Sequence, residues 1–404
     1  MENNFIPYEK ALSILEEHKG NFSTETLTIE DSIGQYLAEN LVADRDFPPF
    51  DRVTMDGIAI AFKTFEKGQR EYNIETTAAA GAPQATLQDP KKCIEVMTGA
   101  IKPNGVDTVI RYEDLTLSGE NAIITIDTLN YKQNVHFKGM DIAQGSVIVP
   151  AGKQLSPAEI NIAAAVGKAE IQVYRLPKTI IFSTGDELVA VDETPELHQI
   201  RRSNVYGIQA TLKEWGIIAD LHHLADDKTV MLKTVSEMLH EYDLFIFTGG
   251  VSKGKFDYLP EVLEELKVKK HFHKIQQRPG KPFWFGTNAS GKKIFALPGN
   301  PVSSFVCVYM YLRFWLQKSL GIEPKTQYVK LKNDVEFKPD LVYFLEAKLT
   351  RVTDGSLMAE AIKGNGSGDF ANLVKTDGFL ILPQNKSQFF ANEVYPFVPY
   401  RTKW

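Results

Sequence analysis

The sequence predicts a multidomain α/β plus β protein, built around a three-layer α/β unit with a parallel-rich sheet. A small β unit is inserted upstream of it and a β unit closes the chain. Three observations carry this. Continuous apolar runs (TIIF at 179–182, LFIF at 244–247, KIFAL at 293–297) alternate with helical patterns near 203–215, 227–240, 258–266 and 301–318. Strands apolar along their whole length, separated by helices, belong to a parallel sheet buried on both faces. Between Asp56 and about Lys132, and again after Gly321, short alternating segments are punctuated by Gly and Pro, as in small β units.

Taken in order, Pro7 suits a first helical turn, with Tyr8, Ala11, Leu12 and Leu15 at helical spacing behind it. TETLTIE (24–30) alternates as a strand, and DRDFPPFD (44–51) breaks the pattern, since Pro48 and Pro49 continue neither helix nor central ladder. Ser156–Pro157 caps a helix that runs to about Ala165, with Gly167 near its end. The expected units are 1–45 with 133–176 as a discontinuous linking domain, 46–132 as the insert, 177–322 as the α/β domain and 323–404 as the C-terminal β domain.

A chain of 404 residues exceeds one ordinary domain, and 43% hydrophobic with 24% charged residues is a globular balance. The formal charge of −6 gives no general attraction to nucleic acid or anionic membrane, so an anionic ligand must be held locally. The polar N-terminus has no basic flank leading into an apolar core, and the longest apolar stretch, near 301–315, is interrupted by Ser303, Ser304 and Arg313. Cys93 and Cys307 stand far apart without a C-x-x-C pairing, as free thiols do in a reducing compartment. The expected location is the cytosol, without a membrane or nucleic-acid partner.

Four loops at predicted strand ends could carry chemistry. In TGGVSKGKFD, glycines at Gly249 and Gly250 let backbone N–H groups approach an anion, Ser252 can donate to phosphate and Asp257 can hold hydrated Mg²⁺. In STGDEL, Ser183, Thr184 and Gly185 precede two adjacent carboxylates, Asp186 and Glu187, which repel unless a cation or donor lies between them. In RPGKP, prolines restrict the backbone that presents Arg278 and Lys281, a fork and a point charge suited to a tetrahedral oxyanion. LPGNPVSS, with Asn300 and Ser303, leads into a helix whose free N–H groups face an anion site. Each loop alone also reads as an ordinary turn; four at the strand ends of one sheet are harder to treat as independent. In the insert and just beyond it, Asp56 (MDG), Thr98 (MTGA) and Asp141 (GMDI) are polar positions beside apolar runs, equally suited to turns. His271 and His273 share a strand face but have no third ligand spaced nearby, and His222–His223 fares no better.

These motifs in this order resemble the molybdopterin molybdenumtransferase family, which includes bacterial MoeA and the E domains of gephyrin and Cnx1, over nearly the whole chain. PPFDRVTMDGIAIAF, VMTGAIKPNGVDTVI and FKGMDIAQG look like the family's segments in and just after the insert; STGDEL, TGGVSKGKFD, RPGKP and LPGNPVSS complete the set. The resemblance implies a MogA-like α/β domain in an elongated four-domain subunit, and a homodimer with shared sites. It implies Mg²⁺-dependent insertion of molybdate into adenylylated molybdopterin with release of AMP. It implies Gly249, Gly250, Ser252 and Asp257 at the pterin phosphates and Mg²⁺, and Arg278, Lys281, Pro282 and Ser303 at molybdate. Asp56, Thr98, Asp141, Asp186, Glu187, Asp227 and Lys274 match further site positions, and the upstream adenylyltransferase and molybdoenzyme acceptors would be partners. Two departures stand out: Arg278 replaces a common lysine, and DLVYF (340–344) lacks the arginine of a G-R-x-x-F-like segment. Alternatives are a nucleotide hydrolase or adenylyltransferase on the same α/β module, or a non-catalytic scaffold.

Overall fold

The computed structural model describes residues 5–251 and 257–401. Its centre is a six-stranded sheet of β1 (Thr179–Thr184), β2 (Ala219–Leu224), β3 (Leu244–Thr248), β4 (Lys269–His273), β5 (Trp284–Thr287) and β6 (Lys293–Leu297), in the order β2-β1-β3-β6-β5-β4. The first four in that order run parallel, and β5 and β4 form an antiparallel edge. Side chains alternate across a strand. Ile181, Ile246, Phe295 and Leu297 therefore pack against α1 (Asn204–Glu214) and α4 (Pro301–Cys307). Ile180, Phe182, Phe245 and Phe247 meet α2 (Lys228–Met238) and α3 (Leu259–Glu265) on the other face. Every residue of β1 and β3 is buried, which is why both read as unbroken apolar runs. The helix expected over 301–318 has a π turn at Val308–Leu312 and resumes at Arg313–Ser319.

The N-terminal helix Tyr8–Glu17 buries Ala11 and Leu15 in the α/β core. Thr24–Thr28 pairs antiparallel with Glu170–Tyr174, which brings the chain before and after the insert together. Ser156 and Glu159 form a capping box on the helix Pro157–Ala165. The insert carries a six-stranded sheet in which Gly57–Ile60 lies between Thr108–Arg111 and Cys93–Val96. At the C-terminus, β7 (Gln327–Leu331), β8 (Val342–Arg351), β9 (Leu357–Ala361), β10 (Gly378–Leu382) and β11 (Val394–Pro399) close on themselves in the order β8-β9-β7-β11-β10-β8, a barrel. Gln277–Arg278 adds a parallel pairing to β8, placing Arg278 beside Tyr343. The RPGKP turn is thus stitched to the barrel. No helix among the described residues is long and apolar enough to cross a membrane.

Candidate functional site

A cavity of about 560 Å³ opens at the carboxyl ends of β1, β3 and β6, where open α/β sheets leave a crevice. Ser183–Gly185, Glu187, Thr248–Val251, Asp257 and the 298–301 loop line it, together with Arg202, Asn204 and Asp226. Gly249 and Gly250 are needed there for two reasons. Their φ values are +97° and +69°, and a Cβ would stand 2.7 and 2.9 Å from Thr184 Oγ1. Asn204 Nδ2 donates to Thr248 Oγ1 at 3.0 Å and to Gly299 O at 2.7 Å, tying the β3 loop to the β6 loop. Ser183 Oγ pairs with His223 Nδ1 at 3.0 Å. Thr184 Oγ1 and Arg202 Nε, by contrast, are buried and have no partner among the described residues. A buried polar group without a partner costs about 1–3 kcal/mol, which a ligand would relieve.

Carboxylates gather on one side of this cavity. Asp186 Oδ1 accepts from Asp226 N at 3.0 Å. Burial pushes the Asp226 carboxyl up, and the charges of Asp186, Glu187 and Asp257 push the same way, against a hydrogen bond from the Asp186 backbone. The neighbouring Asp227 is engaged elsewhere: its Oδ1 accepts from Thr229 N at 2.8 Å and Val230 N at 2.9 Å, as the N-cap of α2. Of the two, Asp226 lines the cavity.

A second cavity of about 520 Å³ shares Pro282 and Asn300 with the first. Arg278, Lys281 and the buried Ser303 line its α/β side. The turn beneath them is moulded from behind. Gly280 has φ +86°, and a Cβ there would meet Gln277 Nε2 at 2.7 Å and Cys307 Sγ at 2.8 Å. Buried Gln277 donates to Pro279 O at 3.0 Å and accepts from Tyr311 Oη, while Cys307 Sγ approaches Gly280 O at 3.8 Å. Lys281 Nζ lies 4.1 Å from the centre of the Phe5 ring, and the Arg278 guanidinium 6.0 Å from that of Phe337. The barrel supplies the far wall through Tyr343, Glu346 and the loop 363–367. Ser367 O accepts from Val302 N at 3.1 Å, and Asn300 Nδ2 donates to Ser367 Oγ at 2.9 Å.

Comparison with known proteins follows the same architecture. Residues 6–167 match the family described as MoeA N-terminal region (domain I and II), 180–318 a probable molybdopterin binding domain, and 328–400 the MoeA C-terminal region (domain IV). A molybdopterin molybdenumtransferase of Synechocystis is 41% identical over 396 residues, 97% of this chain and 99% of that protein. The chain belongs to the molybdopterin molybdenumtransferase family. A Staphylococcus aureus member is 29% identical over 98% of this chain and 96% of its own. Two solved structures of the MoeA protein of Pyrococcus horikoshii superpose with TM-scores of 0.83 and 0.81 at 25% and 27% identity, covering 98% and 99% of this chain and 100% of each of theirs.

In the single chain, Asp56, Thr98, Asp141 and Lys274 are not among the residues that line either cavity. Asp56 Oδ1 accepts from Thr98 N at 2.6 Å and from Thr98 Oγ1 at 2.7 Å, and these bonds hold its carboxyl below the usual range. Asp141 Oδ1 meets His136 Nε2 at 2.9 Å, and Arg52 Nη2 lies 3.4 Å from His136 Nδ1. Lys274 has φ +78°; its N–H donates to Phe283 O and its carbonyl accepts from Ile6 N. Ser252 lies outside the described residues. The wall that sequence reasoning missed (Lys363, Asn365, Ser367) sits in KGNGSGD, a glycine-rich stretch that signals close backbone approach. Arg202, Asn204 and Asp226 carry no comparable signal, because each depends on which strands become neighbours.

Proposed function

We propose that this chain transfers molybdate onto the dithiolene of adenylylated molybdopterin and releases AMP, with Mg²⁺, as a cytosolic homodimer. One observation supports this most. A glycine-lined cavity with unsatisfied donors runs through Pro282 and Asn300 into a cavity bearing two fixed cations. Two anions that repel in water need such adjoining sites to meet. The Gly250 N–H group, with the Thr184 hydroxyl and Arg202, holds phosphate oxygens, while the Gly249 N–H donates to Leu297 O at 3.1 Å and fixes the turn. Arg278 by its fork, Lys281 by its charge and Ser303 by its hydroxyl hold the tetrahedral oxyanion.

The carboxylate side fits Mg²⁺. Among the described residues no three side chains of His, Cys, Asp or Glu make a metal site by themselves. Mg²⁺ asks for less, one or two carboxylates completed by water and phosphate oxygens. Asp257, with Asp186 and Glu187, would hold it, and the mutual repulsion felt at Asp226 is what a cation would relieve. When bound it neutralises the phosphoanhydride. The residues of the chain position and neutralise; none need act as nucleophile. An oxygen of molybdate or water attacks the phosphorus linked to the pterin, and AMP departs with the bridging oxygen. Both dithiolene sulfurs bind molybdenum as their two protons and one oxo group leave as a water molecule, and where molybdate was the attacking group a second water hydrolyses the molybdate–phosphate link. Asp56 and Thr98, presented by the insert (46–132), and Asp141, from the linking domain just beyond it, complete the partner subunit's cavity.

The test is AMP release from adenylylated pterin at varied molybdate. Replacing Lys281 by Ala should raise the half-maximal molybdate concentration by about tenfold, ~1.4 kcal/mol of oxyanion binding, and leave pterin affinity within about twofold. Equal weakening of both ligands, or of neither, would remove the oxyanion role.

A further inference from the structure

The second cavity contains a group that this mechanism leaves unused. On β8, Val342 and Phe344 pack into the α/β core, whereas Leu345, Ala347 and Leu349 face the barrel interior. Alternation along the strand puts Glu346 third on the face turned to the α/β domain. There it lines the cavity with Arg278, Lys281, Ser303 and Lys363, at 8% exposure. A carboxylate so placed opposes what the cations favour, since it repels an entering dianion. Protonated, it becomes a hydrogen-bond donor to that same anion.

The surroundings bear on which form is held. Burial pushes the Glu346 carboxyl up and the charge of Asp369 adds to this, while a hydrogen bond from the Asn372 side chain opposes. Tyr343 feels the charges of both Glu346 and Arg278. Tyr400, with Arg401 beside it, also feels Glu346. Lys281 and Lys363 complete the charged groups of the cavity. An arriving dianion adds negative potential and favours the protonated carboxyl further.

We propose that Glu346 gates this cavity by taking up one proton from solvent as a tetrahedral oxyanion dianion enters, and by donating that proton in a hydrogen bond to an anion oxygen. No covalent bond to the anion forms or breaks. The proposal rests on the reading of this cavity as an oxyanion cradle. By linkage, affinity falls as pH rises between the carboxyl's pKa in the free protein and its higher value in the complex, by at most about tenfold per pH unit.

The experiment is titration calorimetry of the full chain with molybdate, and separately with sulfate, from about pH 6 to pH 9 in buffers of differing ionisation enthalpy. Sulfate stays a dianion throughout, so a slope seen with it arises in the protein. The wild type should take up a proton, up to one per anion, within this range and lose affinity with rising pH where the uptake occurs. Glu346→Gln, which keeps the shape and a donor, should bind without proton uptake and with a flat pH profile. Tyr343→Phe should retain the wild-type slope. A wild type without proton uptake overturns the gate, and that measurement needs no variant to fold. A wild-type slope in Glu346→Gln overturns it equally. Lys281→Ala separates the two levels: if anion binding there is unchanged at every pH, the cradle itself is wrong; if it is lost, only the gate remains in question.

Discussion

Polar groups at two places in the α/β domain are treated in opposite ways. At the β4 edge, His271 stacks on His18 with ring centroids 3.7 Å apart, and its Nε2 reaches Thr287 Oγ1 at 2.8 Å. Trp315 Nε1 donates to His18 O at 3.1 Å. At the carboxyl edge, Thr184 Oγ1 and Arg202 Nε are buried without partners, and carboxylates face one another around Asp226. The first arrangement closes its hydrogen bonds on the protein itself. The second leaves them open, and folding tolerates that cost only where something else is gained. The RPGKP turn combines both: closed behind by Gln277, Cys307 and Tyr311, open in front at Arg278 and Lys281. Substitutions in open groups should therefore change activity, and substitutions in closed groups should change stability first.

The largest expected effect concerns whether the open cavity is complete within one chain. In the proposed homodimer, Asp56→Ala and Asp257→Ala should each be nearly inactive on their own. If Asp56 serves the partner's cavity, a mixed dimer holds one site with both lesions and one with neither. Equal random mixing makes roughly half the dimers mixed, which restores about a quarter of wild-type activity. Co-expression followed by AMP-release assay measures this. Mixtures no more active than either parent, with subunit exchange verified, would leave Asp56 and Thr98 as a closed turn of the insert.

A smaller effect belongs to the back of the cradle. Gln277→Leu leaves Pro279 O and the Tyr311 hydroxyl without their partner, a loss of about 1–3 kcal/mol in stability. The thermal midpoint should fall by several degrees, and the half-maximal molybdate concentration should rise severalfold as the turn loosens. Pterin affinity should stay unchanged. A molybdate effect without any loss of stability would mean that Gln277 belongs to the open face.

Much of this architecture is legible in the sequence because local pattern and final environment agree. TIIF and LFIF read as buried parallel strands and are buried at every position of β1 and β3. The turn glycines are legible for the same reason, as Gly249 and Gly250 have backbone angles that other residues adopt at a cost. Adjacency is less legible. Asp226 and Asp227 are equivalent in sequence, and only the start of α2 makes one a cap and leaves the other in the cavity. The barrel wall is further removed still. Tyr343 comes next to Arg278 through a two-residue strand pairing that no periodicity announces.

The smallest effect tests the closed arrangement at the β4 edge. Burial lowers the His271 pKa to about 4, and neighbouring His18, Lys269 and Lys293 act in the same direction. In the unfolded chain the imidazole returns to its ordinary value of about 6.5. Between those two values the unfolded state binds more protons than the folded one, so stability rises with pH across this window. The contribution is complete above the unfolded value and is lost progressively as pH falls toward the folded one. Burial lowers the His18 pKa too, so protonating either ring places a cation against its stacked neighbour. His271→Asn removes the titrating ring and keeps a side chain able to hydrogen-bond Thr287. The expected result is a thermal midpoint that falls less steeply than that of the wild type between about pH 7 and pH 4.5, with AMP release at neutral pH unchanged. Identical pH slopes in the two proteins would show that the ring pair carries no proton-linked stability. A loss of activity at neutral pH would join this edge to the cavity and erase the distinction between them.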